Sequence, residues 1–131
     1  MNNEPLKQIA DKVLSKVTVE ETDKERFGSV IIILTIISVI LTLVRVIQEC
    51  NKNKIKLFNQ QDKCSYFSEQ IKEISIRRSW FTKMTIKKIL RKELDLYDYR
   101  QYGSSITNAI LDVGENLDQT EIKTLVEAAN V

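Results

Sequence analysis

The sequence predicts an all-α protein: one transmembrane helix that continues into a long helical stem, followed by a small C-terminal helical mini-domain. The run from Phe27 to Val44 holds eighteen residues without a charge, and twelve of them are Val, Ile or Leu. No glycine or proline interrupts the 74 residues between Gly28 and Gly103, which favours long helices. Apolar residues on both sides of the run recur at intervals of three and four, which is the period of an amphipathic helix.

Residues 1–21 predict an N-terminal amphipathic helix. Pro5 falls in its first turn, where a missing N–H is tolerated. The helix either packs on protein or lies on lipid headgroups, and its few basic and aromatic residues favour packing on protein. Its apolar face comprises Leu6, Ile9, Ala10, Val13, Leu14 and Val17.

Residues 22–47 predict the transmembrane helix. Thr22 and Glu25 have the spacing of a capping box, and eighteen helical residues rise about 27 Å, close to the roughly 30 Å of a bilayer core. A buried core helix is the competing interpretation, but such a helix usually carries a polar stripe. A chain of 131 residues has little other apolar material to cover this helix, unless copies of the chain bury it for one another.

Small and polar residues line one side of this helix, and they predict a helix-association stripe. Hydroxyl and small side chains let helices approach closely in lipid and exchange hydrogen bonds. The alternative, that each hydroxyl bonds to its own backbone, stays open. A water-filled pore is less favoured because the run holds no charge. The stripe consists of Gly28, Thr35, Ser38 and Thr42.

Residues 48–78 predict a helical stem with a heptad pattern typical of a coiled coil. Its polar middle also allows a hinge between two shorter helices. In a parallel dimer Cys50 and Cys64 would each face their own copy, and could crosslink in an oxidising compartment; in the cytoplasm they would be small buried hydrophobes. The two sets of core positions are Leu43, Cys50, Leu57, Cys64 and Ile71, and Val46, Asn53, Gln60, Phe67 and Ile74.

Residues 79–131 predict a basic helix followed by an acidic helical hairpin. Thr82 resembles the N-cap of a helix from Lys83 to about Leu96, with Phe81 placed to contact Ile86. The basic face has three interpretations: a solvated face, an anionic-lipid contact and, without a recognised motif, a nucleic-acid contact. The candidate lipid contacts are Arg77, Arg78, Trp80, Lys83, Lys87, Lys88, Arg91 and Lys92.

In the hairpin, Ser104 or Ser105 is expected to begin one helix and Gly114 to end it in a left-handed turn. Asp118 and Glu121 then form a capping box for the last helix. With the basic helix these two predict a three-helix mini-domain.

Charge is segregated along the chain, although the net charge is only +2. Residues 45–92 carry thirteen Lys/Arg and four Asp/Glu, whereas residues 93–131 carry two and eight. The acidic end therefore argues against a DNA-binding hairpin, and it could bind the basic stem of a neighbouring copy.

Features of catalytic chemistry are missing from the sequence. It has no histidine, no Gly-rich phosphate loop, no nucleophile elbow and no pair of cysteines with metal or redox spacing. We therefore expect no enzymatic activity, cofactor, metal or small-molecule substrate.

The chain is small and rich in Ile, Lys and Asn, and it ends in TEIKTLVEAANV. In this texture and in its C-terminal stretch it resembles small uncharacterised proteins of contractile-tailed phages of marine cyanobacteria. The resemblance implies a virion or host-membrane role and carries no functional motif.

The sequence thus predicts a single-pass, membrane-anchored, non-enzymatic helical interaction or assembly protein that self-associates, with the lipid bilayer as its partner. The basic stem favours a cytoplasmic C-terminal region, although equal numbers of Lys/Arg flank the two ends of the span. One alternative is a structural protein of a virion or other assembly, with the apolar helix buried in an oligomer. The other is a small pore-forming protein of the lysis type.

Overall fold

The computed structural model describes residues 4–130, which form seven α-helices and contain no β-strand. The prediction of an all-α protein with one long apolar helix near the N-terminus is confirmed. A 3-10 turn, Glu21–Asp23, precedes the second helix. The helices are α1 (Glu4–Leu14), α2 (Lys24–Phe27), α3 (Val30–Ile55), α4 (Gln60–Arg77), α5 (Trp80–Glu93), α6 (Leu96–Glu115) and α7 (Gln119–Ala128).

The apolar helix α3 lies inside the bundle along one side and is open along the other. It packs against α1, α4, α5 and α7. At its N-terminal end, however, Val30, Ile31 and Leu34 remain 69%, 67% and 56% exposed. The apolar faces of the neighbouring amphipathic helices therefore cover much of α3, although little such cover was expected in a chain of this length. The buried residues of α3 are Ile32, Thr35, Ile36, Val39, Ile40, Val44, Ile47 and Ile55.

The start of α3 differs from the prediction. The helix begins at Val30, with Ser29 as N-cap, and not near Thr22. The expected capping box at Thr22 is not formed, because the 3-10 turn and the short α2 occupy this segment. Asp23 is held there by side chains of α6, as described below.

The predicted stem of residues 48–78 is two helices within the bundle and not one extended rod. Asn51 has non-helical backbone angles, α3 ends at Ile55, and α4 begins after the N-cap Asn59. Helix α4 packs against α3, α6 and α7. The polar middle of the segment therefore acts as the hinge. The heptad positions separate accordingly, since Phe67 is fully buried within one chain and Leu57 is 87% exposed.

The C-terminal helices begin and end at other residues than expected. Ser79, not Thr82, caps α5, and Asp95 caps α6, so that Ser104 and Ser105 lie in the middle of a helix. Gly114 also lies within α6 and has no positive φ. It is instead a point of close approach, because a Cβ there would clash with Ser75 Oγ of α4.

The capping box of α7, made by Asp118 and Glu121, is confirmed. The three C-terminal helices share their core with the N-terminal ones: α6 packs against α1, α4 and α5, and α7 packs against α1, α3 and α4. Buried side chains of all the long helices form one apolar cluster.

Candidate functional site

An open groove of 820 Å³ runs along α5 and carries positive charge. Four of its lining side chains are Lys or Arg, and none is a carboxylate. We call it the basic groove. It is lined by Thr42 and Val46 of α3, by Trp80, Phe81, Lys83, Met84, Thr85, Lys87, Lys88, Ile89 and Arg91 of α5, and by Tyr99 of α6.

The capping of α5 determines which residues face the groove. The Ser79 hydroxyl accepts a hydrogen bond from the Thr82 backbone N–H at 3.2 Å and so fixes the first turn. Thr82, Ile86 and Leu90 are buried one turn apart, and α5 packs against α3 and α6. The basic residues between them in sequence are therefore held on the outer sides of the helix.

Arg78 anchors the turn between α4 and α5. Its backbone is left-handed, with φ of 48°, and its guanidinium donates to Asp112 and, at 3.3 Å, to Glu115 of α6. The hydrogen bond to Asp112 is the main cause that raises the pKa of Arg78. Arg77 pairs with Glu73 of its own helix at 2.7 Å. Two of the eight predicted lipid contacts are thus engaged within the protein.

The cations on α5 have no ion-pair partner in the described part of the chain. Within residues 4–130, no carboxylate oxygen lies within 4.0 Å of the charged groups of Lys83, Lys87, Lys88, Arg91 and Lys92. Several of them are four residues apart, a spacing at which like charges on a helix repel by a few tenths of a kcal/mol, roughly 0.2–0.5 per pair. An anion in the groove would relieve this repulsion.

Large apolar side chains are exposed at the N-terminal end of the groove. Trp80, Phe81 and Met84 are 75%, 61% and 42% exposed. Because the N-cap is Ser79 and not Thr82, Phe81 lies inside the first turn of α5 and not at the position before the N-cap that a hydrophobic staple to Ile86 requires. Phe81 and Met84 were not among the predicted contacts. The sequence signal that could have found them is their spacing of three residues from each other.

The predicted helix-association stripe does not lie on one open surface. Thr35 is buried and donates to the Ile31 carbonyl at 2.8 Å, and half-buried Thr42 donates to the Ser38 carbonyl at 2.8 Å. These two hydroxyls follow the alternative of bonding to their own helix. Gly28 and Ser38 are exposed. Self-association of α3 through the other residues of this stripe stays a prediction. Thr35 cannot be a contact, because it is buried within its own chain.

The uncovered side of α3 instead presents an apolar surface. We define the open stripe as Val30, Ile31, Leu34 and Ser38, all of which are exposed. Ser38 lies one turn before Thr42, which lines the basic groove. The open stripe and the basic groove therefore adjoin on the surface of α3.

A second polar cluster joins the 3-10 turn to the start of α6. Buried Asp23 accepts hydrogen bonds from the hydroxyls of Tyr102 and, at 3.1 Å, Tyr97. Arg26 donates to Asp23 at 3.0 Å and to Asp98 at 2.6 Å. The Oδ1 atom of Asp98 is buried without a hydrogen-bond partner in the described structure. No local pattern predicts this cluster, because Asp23 and Arg26 lie more than 70 positions before their partners in α6.

Hydrogen bonds, burial and charge within this cluster shift the pKa values of its members. The pKa of Asp23 is lowered, chiefly by the hydrogen bond from Tyr102 and further by Arg26. Burial and the hydrogen bond to Asp23 raise the pKa of Tyr102. The hydrogen bond to Asp23 is the main cause that raises the pKa of Tyr97. Each of the two carboxylates accepts a hydrogen bond from a cation or a phenol, so the cluster is suited to joining the 3-10 turn to α6.

Other candidate sites are weak. Within the described residues 4–130, no group of three or more Cys, Asp or Glu side chains is arranged to hold a metal ion. Cys50 is exposed and Cys64 is half-buried, both as free thiols. The core also holds a cavity of 20 Å³ between α1, α3, α4 and α6, and its apolar lining gives a water molecule few partners.

Comparison of the chain with protein-family models, curated proteins and solved structures finds no match.

Proposed function

We propose that this protein is a non-enzymatic helical interaction protein that acts at a membrane. The observation that carries the proposal is the character of α3. Its most apolar eighteen-residue window has a mean hydropathy of 2.9, yet the bundle leaves the open stripe uncovered at one end. An apolar helix that remains partly exposed marks a surface for lipid or for another protein.

The closed bundle favours contact of the open stripe with the membrane surface over a span. α3 is packed by α1, α4, α5 and α7, and α5 carries five Lys/Arg. Each such charge placed at mid-membrane costs about 2.5–3.5 kcal/mol on an insertion scale. The packed helices therefore cannot enter the hydrocarbon core together with α3.

A single-pass anchor is the second candidate, and the length of α3 favours it. Its 26 residues extend about 39 Å as a helix, more than the roughly 30 Å that a span requires. This state requires the surrounding helices to detach from α3. A cytoplasmic C-terminal region is the orientation proposed for it.

Membrane fractionation of the expressed protein tests the proposal. We expect the protein in the membrane fraction and its release by an alkaline carbonate wash, as for a surface-bound protein. Resistance to carbonate together with extraction by detergent would support the single-pass anchor instead. A protein that stays dispersed in buffer as a defined oligomer would contradict a membrane function and support a structural assembly protein.

A pair of charge-matched variants tests the role of the open stripe. Ile31→Glu with Leu34→Glu places two carboxylates on the stripe, so we expect most of the membrane-bound fraction to be lost. The control, Gln61→Glu with Ser65→Glu, adds the same charge at two exposed positions of α4 and should leave the fraction unchanged. Equal membrane binding by the two variants would show that the stripe is not the contact.

A further inference from the structure

We propose that the basic groove binds the phosphate headgroups of anionic phospholipids, with Trp80 and Phe81 entering the membrane interface beside it. This inference rests on the proposed membrane function and names the lipid class that the surface selects. Its basis is the combination of unpaired cations and exposed aromatic side chains on one helix.

The charge of the groove points to an anionic partner. Lys83, Lys87, Lys88 and Arg91 all line it, and no acidic side chain does. Along α5 these four residues span about 12 Å, since a helix rises about 1.5 Å per residue. A helix with this cationic face can therefore lie flat on a surface and contact several headgroups at once.

The apolar end of the groove points to a bilayer as the source of the phosphates. Trp80 and Phe81 are both largely exposed, and aromatic rings of this kind prefer the headgroup region of a membrane. The open stripe of α3 adjoins the groove and would also meet lipid. A nucleic-acid duplex offers no apolar counterpart to the stripe.

A second copy of the chain fits the groove less well. The acidic C-terminal region could in principle supply carboxylates, but several of them are already paired within the fold. Glu121 contacts Lys12 at 2.5 Å, and Asp112 and Glu115 are held by Arg78. Two cations of the same chain therefore already offset part of the charge of these three carboxylates before a second copy could approach.

The only tryptophan of the chain is Trp80, so its fluorescence reports directly on the groove. We expect mixed vesicles of phosphatidylcholine and phosphatidylglycerol to shift its emission to shorter wavelength, and pure phosphatidylcholine vesicles to have little effect. Salt should weaken binding, because charges at a surface are screened beyond about 8 Å at physiological ionic strength. Equal binding to both vesicles would overturn the inference.

A groove variant carries Lys83→Gln, Lys87→Gln, Lys88→Gln and Arg91→Gln. Each basic residue near an anionic surface strengthens binding roughly fivefold, so we expect this variant to lose on the order of 100-fold or more in vesicle affinity. The control removes the same charge from four exposed lysines that have no ion pair within residues 4–130, and it should bind nearly as the unmodified protein does. The control positions are Lys16, Lys56, Lys72 and Lys123.

Circular dichroism establishes that both variants are folded before binding is compared. Equal loss of affinity in the two variants would mean that net charge alone, and not the groove, selects the lipid. Displacement of the protein from anionic vesicles by short duplex DNA at equal phosphate concentration would assign the groove to nucleic acid. If the groove variant stays in the membrane fraction of cells, the membrane function stands although the groove inference fails.

Discussion

At the scale of single residues, Asp23 shows how a charged side chain decides local structure. The segment around it was expected to start a long helix. Instead, the hydrogen bonds from Tyr97 and Tyr102 hold the carboxylate against α6, and Arg26 balances its charge. Burial of a carboxylate is tolerated only with such partners. A chain read residue by residue cannot reveal them, because the tyrosines lie far along the sequence.

The stability of the fold should fall in acid because of Asp23. Its pKa in the folded state is below the ordinary aspartate value of about 3.9. The stabilisation is therefore present above that value and is lost as the pH falls through the lower, folded-state pKa. We expect Asp23→Asn to lower the melting temperature at neutral pH and to flatten the acid limb of a plot of stability against pH.

Glu25→Gln is the matched control, since Glu25 is an exposed acid two residues away. It should leave both the melting temperature and the acid limb nearly unchanged. An Asp23→Asn protein with the same acid limb as the unmodified protein would contradict the role assigned to Asp23. The pKa values of Tyr97 and Tyr102 are raised. We therefore expect a separate loss of stability at alkaline pH, where deprotonation removes their hydrogen bonds to Asp23.

At the scale of helices, the heptad pattern fits two arrangements, and the break between α3 and α4 decides which of them forms. The pattern of residues 43–74 is compatible with a coiled coil, in which Leu57 and Ile71 occupy equivalent core positions. In the bundle, Ile71 is buried against its own chain and Leu57 is 87% exposed. The period alone cannot distinguish these outcomes, because it states which residues share a face and not what covers that face.

Two alanine substitutions separate the bundle from the extended stem. We expect Ile71→Ala to lower the free energy of unfolding by about 2–5 kcal/mol, as for other buried large-to-small changes. Leu57→Ala should change it by less than about 0.5 kcal/mol, as for other exposed positions. Chemical denaturation measures both. Comparable losses at the two positions would indicate a coiled coil of two or more chains.

At the scale of the whole molecule, one apolar helix is packed in a bundle with amphipathic helices of opposite charge: α5 is basic, and α6 and α7 are acidic. α5 brings unpaired cations to the surface, whereas α6 and α7 bring acids that are paired with Arg78 and Lys12. The charge segregation seen along the sequence is therefore partly neutralised within the fold. Four of the cations without an ion pair in the described structure lie together in the basic groove, beside the open stripe of α3.

Hydrogen exchange on anionic vesicles should show whether the bundle stays closed. If the protein binds through its surface, we expect the buried amides of α1 and α7 to keep the protection they have in solution, because their packing on α3 is unchanged. The amides at the start of α3 and in α5 should become more protected where they meet lipid. Loss of protection in α1 and α7 would mean instead that the helices detach and α3 inserts.

Several features could be predicted from the sequence because they depend on neighbours in the chain. They include the helical character of the protein, the apolar run of α3, the capping box at Asp118 and the cationic face of α5. Each follows from propensity, period or capping within one or two helical turns. The predicted contacts therefore include the basic residues of the groove and Trp80, but not Phe81 and Met84, and the sequence does not indicate which residues of α3 and α6 lie beside them.

Tertiary structure alone decided how α3 is surrounded. The sequence establishes that the helix is apolar enough to be solvated by lipid, but hydrophobic burial is non-directional and does not specify lipid or protein. The packing of α1, α4, α5 and α7 settles which side of α3 is covered, and leaves Val30, Ile31 and Leu34 open. The exposed surface of this protein is thus set by contacts between distant segments, which no local pattern encodes.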